Sequence, residues 1–139
     1  MPLLILTLAL LGPAPLIEAL PPAPTVGPAV SCVLDGYEPN DVRRKARSIN
    51  DHASARLCTG DVDWLAFDAV RGERIRLTLR GAGTRAAVFA PRARKARVRL
   101  KGTQHRVFRV RHSGRHKVQI QGAVGPYAIQ VERTGLRAK

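Results

Sequence analysis

The sequence predicts an all-β domain, an antiparallel sandwich or barrel with one short helical turn near its start. Apolar and polar residues alternate with a period of two in a succession of short segments. Each segment is closed by glycine or another turn former, at spacings of about ten residues. Past Ala46 no stretch carries a helical period of useful length. A chain of 139 residues, 45% of them apolar, suffices for one such domain and its core.

Taken in order, residues 3–11 form an apolar run that Gly12 and Pro13 end. The run is too short to cross a bilayer as a helix and fits the apolar region of a secretory signal, although no Lys or Arg precedes it. A buried amino-terminal strand or an uncleaved anchor are the alternatives. Cleavage after Ala14 or Ala19 leaves no stable membrane span. The stretch PPAPTVGP, residues 21–28, reads as an extended linker because proline at that density withholds backbone donors. The expected layout is a signal over residues 1–19, a Pro-rich linker over 20–30, a folded module over 31–133 and a basic tail over 134–139. Such a chain is secreted, or held in the periplasm or at the cell surface. Its two cysteines, Cys32 and Cys58, suit a disulfide in an oxidising compartment; lipidation of Cys32 is a weaker alternative.

Asn40 or Asp41 is a candidate cap for a helical turn over residues 42–46. Alternation then runs through Val62 and Trp64, Ile75 to Leu79, Ala96 to Leu100, Phe108 to Val110, Val118 to Ile120, and Ala128 to Val131. The breaks between them are Arg71-Gly72, Gly81-Ala82-Gly83, Lys101-Gly102-Thr103, Ser113-Gly114 and the glycine-rich stretch 122–126. Trp64 and Phe67 read as core residues rather than a sugar-stacking platform.

Two motifs carry a family resemblance. The first is Asp35-Gly36-Tyr37-Glu38-Pro39-Asn40-Asp41, followed by Ala46 and Ile49; the second is Gly60-Asp61-Val62-Asp63-Trp64-Leu65-Ala66-Phe67. With the glycine turn at Gly72, the strand from Ile75 to Leu79 and the closing Gly125-Pro126-Tyr127-Ala128-Ile129-Gln130-Val131, they resemble the bacterial pre-peptidase C-terminal domain. Two places depart from that pattern: His116 stands for an aromatic residue, and the mid-domain motif is altered to Ala87-Val88-Phe89-Ala90. The resemblance implies a jelly-roll-like β-sandwich that accompanies exported proteases or binds a matrix. It also implies calcium bound by Glu38, Asn40, Asp41, Asp61 and Asp63. Calcium takes six to eight oxygen ligands, which two such loops can supply if the fold joins them. The plain alternative is that Asn40 and Asp41 cap a turn, Asp61 shapes one, and Glu38 pairs with Arg43 or Arg44.

Charge divides the chain. Residues 35–73 hold eight of the ten acids, whereas residues 74–139 hold 18 basic residues against the single acid Glu132, a balance of +17. Lys95, Arg97, Arg99 and Lys101 alternate with apolar residues, as do Arg74 and Arg76 and, further on, Arg109 and Arg111. Read as strands, these present cations on one side and apolar residues on the other. Too few acids remain to neutralise them, and like charges facing across paired strands destabilise. An anionic polysaccharide, lipopolysaccharide, teichoic acid or extracellular DNA is the expected class of partner, against the alternative of a merely solvated basic face. Dedicated nucleic-acid recognition is less favoured, since stacking aromatics are few. Docking on a separate exported enzyme is the competing role.

No nucleophile elbow, zinc-binding helix motif or phosphate loop is present. His112 and His116 are separated by the break at Ser113-Gly114, while His52 and His105 read as loop residues. Asp61 and Asp63 lie too close in sequence to straddle a glycosidic bond. The expectation is a non-catalytic module; a hydrolase is the remote alternative.

Overall fold

The computed structural model describes residues 35–135 and is a two-layer β-sandwich. The segments expected as signal and linker, Cys32, and residues 136–139 of the tail lie outside the described residues. The nine strands are β1 (Arg47–Ser48), β2 (His52–Leu57), β3 (Val62–Ala69), β4 (Arg74–Arg80), β5 (Thr84–Phe89), β6 (Val98–Lys101), β7 (Gln104–Arg109), β8 (Gly114–Gly122) and β9 (Gly125–Arg133). One sheet has the order β1-β3-β8-β5-β6, the other β2-β9-β4-β7. All pairs are antiparallel except β1 with β3.

The alternation read from the sequence sets the inner faces. Ile75, Leu77 and Leu79 of β4, Val118 and Ile120 of β8, and Ile129 and Val131 of β9 all enter one core. β3 behaves differently. Asp63, Leu65 and Phe67 point inward, while Trp64 and Ala66 face the other way and are still buried. The outer side of β3 is covered by a second cluster, in which Ala46 and Phe89 pack on Trp64. Arg43 completes it, its guanidinium 5.7 Å from the Trp64 ring and 4.8 Å from the Phe89 ring. Such cation–π contacts favour a lid that is basic but tightly seated.

The short 3-10 turn Arg43–Lys45 lies inside the expected helical segment, but its cap does not match the expectation. Val42 occupies the N-cap position and no side chain caps the turn. Asn40 is committed elsewhere, to the carboxylate cluster described below. β2 and β5 are strands that the sequence did not announce, and His52 and His105 lie in β2 and β7 rather than in loops.

His116 occupies the position where its family resemblance calls for an aromatic residue, and its ring takes that place. It is buried and stacks on Phe67, with centroids 5.5 Å apart and planes 17° from parallel. Its Nδ1 lies 3.0 Å from the Gly114 carbonyl oxygen, so Nδ1–H donates there. Burial lowers the His116 pKa below the ordinary 6.5, with the positive charge of Arg97 adding to the effect against the opposing Gly114 hydrogen bond. The native state therefore binds this proton less tightly than the unfolded chain does. Its contribution to stability is complete above the unfolded value of 6.5 and is lost as pH falls below it. Relative to His116→Phe, the wild-type protein should lose stability on acidification from about pH 7 to about pH 5, by up to ~1.4 kcal/mol per pH unit. Denaturant titrations of the two proteins at both pH values check this; a constant difference between them would refute it.

Candidate functional site

The acidic rim is assembled where the opening segment meets the start of β3. The Trp64 N–H donates to the Asn40 carbonyl at 2.9 Å, and the Ile49 N–H donates to the Ala66 carbonyl at 2.8 Å, laying the segment along β3. The turn between β2 and β3 is closed by Asp61 N–H donating to the Cys58 carbonyl at 3.2 Å and by Cys58 N–H donating to Asp61 Oδ2 at 3.3 Å. These contacts converge Glu38, Asp61 and Asp63, one carboxylate oxygen of each lying within 4.8 Å of the others. Asn40 is fully buried beside them. With its amide nitrogen turned inward it donates to Asp63 Oδ1 at 3.0 Å and Glu38 Oε2 at 3.2 Å. Turned the other way, it offers its carbonyl oxygen to the same space. Asp41 is exposed and lines the adjoining cleft with Glu38 and Asp61.

Asp63 points into the sandwich, where the Tyr127 hydroxyl donates to its Oδ2 at 2.5 Å. Burial raises the Asp63 pKa from the ordinary 3.8 to about 6, against the opposing Tyr127 hydrogen bond and with help from the nearby Asp61 charge. Glu38 is likewise raised, first by burial, then by the neighbouring Asp41 and Asp61 carboxylates. The Tyr127 hydroxyl is pushed well above its usual range by burial and by Asp63. Tyr127 was legible only as part of a closing strand, although an inward tyrosine needs a partner for its hydroxyl. Asp35 was missed as a support: it accepts from Tyr37 N–H at 2.9 Å and Arg56 N–H at 3.2 Å, tying the opening loop to β2.

The donor set fits a hard divalent cation. Three carboxylates converge beside the Asn40 amide, with Asp41 at the margin of the cluster. Among the described residues the ion pairs are Arg76–Glu132, Arg133–Asp51 and Arg133–Glu73, so none neutralises this cluster. The alternative pairing of Glu38 with Arg43 or Arg44 is therefore not what forms. Arg43 caps the Trp64 cluster, and Arg47 donates to the backbone carbonyls of Tyr37 and Glu38 instead. Cys58 follows β2 in the turn at the same rim; its expected pairing with Cys32 falls on a residue outside those described.

The basic residues do not form the single face expected from the sequence. The chain crosses from one sheet to the other between β4 and β5, and this divides them. Arg74, Arg76 and Arg109 stand on the outer side of the four-stranded sheet, with Arg74 directly opposite Arg109. Arg99 and Lys101 stand on the outer side of the five-stranded sheet. β6 begins only at Val98, leaving Lys95 and Arg97 in the loop before it; Arg111 lies in the loop after β7. On the five-stranded sheet Arg85, missed from the sequence, sits between Lys101 and Gln121.

The described residues have the β-sandwich fold of a pre-peptidase C-terminal domain. A solved structure with this similarity is the pre-peptidase C-terminal domain of collagenase from Bacillus anthracis, at 15% identity and a TM-score of 0.55, covering 63% of this chain and 94% of that one. The periplasmic g-type lysozyme inhibitor PliG of Aeromonas hydrophila aligns at 15% identity, over 61% of this chain and 96% of its own, with a TM-score of 0.44. PliG of Salmonella Typhimurium aligns at 12%, over 63% and 99%, with 0.45. At such identities the first likeness concerns the fold alone, and the two inhibitors carry no argument. No family model and no curated protein sequence matches the chain.

Proposed function

We propose that this chain is an exported, non-catalytic binding module that attaches to an anionic extracellular polymer and is stabilised by calcium at its acidic rim. The observation that carries the binding reading is the uncompensated cationic surface. In residues 74–139, where basic residues outnumber acids by 17, the ion pairs of the described residues engage only Arg76 and Arg133. Cations crowded on paired strands, such as Arg74 facing Arg109 and Arg85 facing Lys101, repel one another until counter-ions or an anionic ligand screen them. The apolar amino-terminal run and the cysteine pair support export. No helix among the described residues is long and apolar enough to cross a membrane.

Binding of the purified module to an acidic polysaccharide is expected to weaken by about 100-fold between ~50 and ~200 mM salt if four cations are neutralised, by analogy with phosphate polymers. Titration calorimetry across that range checks it. Absence of binding at low salt would sink the reading and leave docking on an exported enzyme. That second role is favoured by the likeness to a domain of a collagenase and would appear as complex formation insensitive to added polysaccharide. The calcium component rests on the converging carboxylates and on an amide that can turn its oxygen toward them.

A further inference from the structure

We infer that a linear acidic polysaccharide binds in one particular groove, on the outer side of the five-stranded sheet over Ala87, and not across the basic surface as a whole. This rests on the proposed polymer binding and assigns it a site. The groove is built by register. Ala87 lies between Arg99 of β6 and Gln119 of β8, and one pair further along Arg85 lies between Lys101 and Gln121. The alanine provides a low floor, and the longer side chains on either side provide walls. β6 and β7 are the neighbouring edges of the two sheets and lie against one another. That contact brings Arg106 and Gln104 of β7 to the same groove as a further wall.

Four cations therefore line a channel into which no acidic residue projects. Arg99 and Lys101, two residues apart on one strand, are spaced by about 7 Å along it, so a charged polymer laid along β6 meets cations in succession. The three glutamines decide the class of polymer. A primary amide both donates and accepts, which suits sugar hydroxyls, while guanidinium groups grip carboxylates in bidentate fashion. Gln104 already accepts the Lys101 N–H at 3.2 Å through Oε1, which orients its amide at the groove edge. No aromatic ring lines the channel, so the stacking on which single-stranded nucleic acid depends is missing there. The opposite sheet lacks this combination: Arg76 is paired with Glu132, and Val107 is the residue facing Arg76 across β7.

The test uses the full chain with oligogalacturonate as probe and a thymidine oligonucleotide as comparison. Arg85→Ala with Arg99→Ala should weaken oligogalacturonate binding by about 10-fold or more and flatten its salt dependence. Gln119→Ala with Gln121→Ala should weaken it by about 5-fold with the salt dependence unchanged, since no charge is removed. Arg74→Ala with Arg109→Ala, on the other sheet, should change it by less than about 2-fold. Equal losses from the two arginine pairs would overturn the groove while leaving polymer binding standing. Glutamine variants without effect, together with equally tight oligonucleotide binding, would overturn the polysaccharide assignment. No binding of either probe by the wild-type chain would mean that the parent reading itself has failed.

Discussion

Calcium added to the metal-free protein is expected to raise its melting temperature by about 10–20 °C. An ion that binds only the folded state at 100 times its dissociation constant adds about 2.7 kcal/mol, and each kcal/mol moves the midpoint of a domain this small by roughly 4–8 °C. An ion bound there would act on a cluster that opposes folding without it. In the metal-free protein Asp63 holds its proton up to about pH 6, against an ordinary 3.8, because its carboxylate is buried. The native state then binds more protons than the unfolded chain between those values, so stability falls as pH rises through the window. The loss from Asp63 amounts to about 3 kcal/mol at most, with Glu38 adding in the same direction. Calcium requires the ionised carboxylates and therefore reverses the slope. Asp63→Asn separates the two effects. It keeps an acceptor for the Tyr127 hydroxyl, removes the buried charge, and should melt no lower than wild type without metal while losing most of the calcium response. Measurement in the His116→Phe background removes the histidine contribution of opposite sign. Identical melting in calcium and in chelator would remove the ion from this description.

Gly122→Ala is expected to cost about 4 kcal/mol or more, a large share of the stability of a domain this small. Gly122 ends β8 opposite Thr84, at a φ of +141°. A Cβ there would lie 2.3 Å from the Gly83 carbonyl oxygen and 3.0 Å from the Thr84 Cα. Both are backbone atoms, so no side chain can swing away; β8 and β5 must part where Arg85 and Gln121 meet. Gly125→Ala is the control, since Gly125 has a φ of +147° but nothing within 4 Å of its would-be Cβ. It bears only the backbone strain, about 1–2 kcal/mol. Urea unfolding of the two variants measures the difference, and equal losses would show that the close approach is not the cause.

Most of the alternating strands were legible because one face is buried: Ile75, Leu77 and Leu79 declare β4 without help. β2 and β5 were not, because Ala53, Ala55, Ala86 and Ala87 give an inward–outward contrast too weak to register. In β3 every residue from Asp63 to Phe67 is buried, so alternation vanishes and the inward turn of Asp63 cannot be read. The acidic motifs could be picked out as residues, but their meeting depends on the opening segment lying along β3, a contact between distant parts of the chain. The division of the arginines depends on the crossover between sheets after β4, which leaves no trace in local composition. The groove was invisible for that reason: Arg85, Gln119 and Lys101 become neighbours only through the order β8-β5-β6.

The placement of β6 and β7 at the sheet margins has a consequence for how the molecule behaves at high concentration. β6 pairs only with β5 and β7 only with β4, so where the two do not cover one another each margin is a template on which another copy could extend the sheet. Arg99, Lys101, Arg106 and Arg109 guard those margins, because like charges brought together strand against strand repel. The side chains proposed to hold a polymer would thus also keep molecules apart. A polymer that neutralised them would lift that guard and give modules crowded on one strand a route to associate side by side.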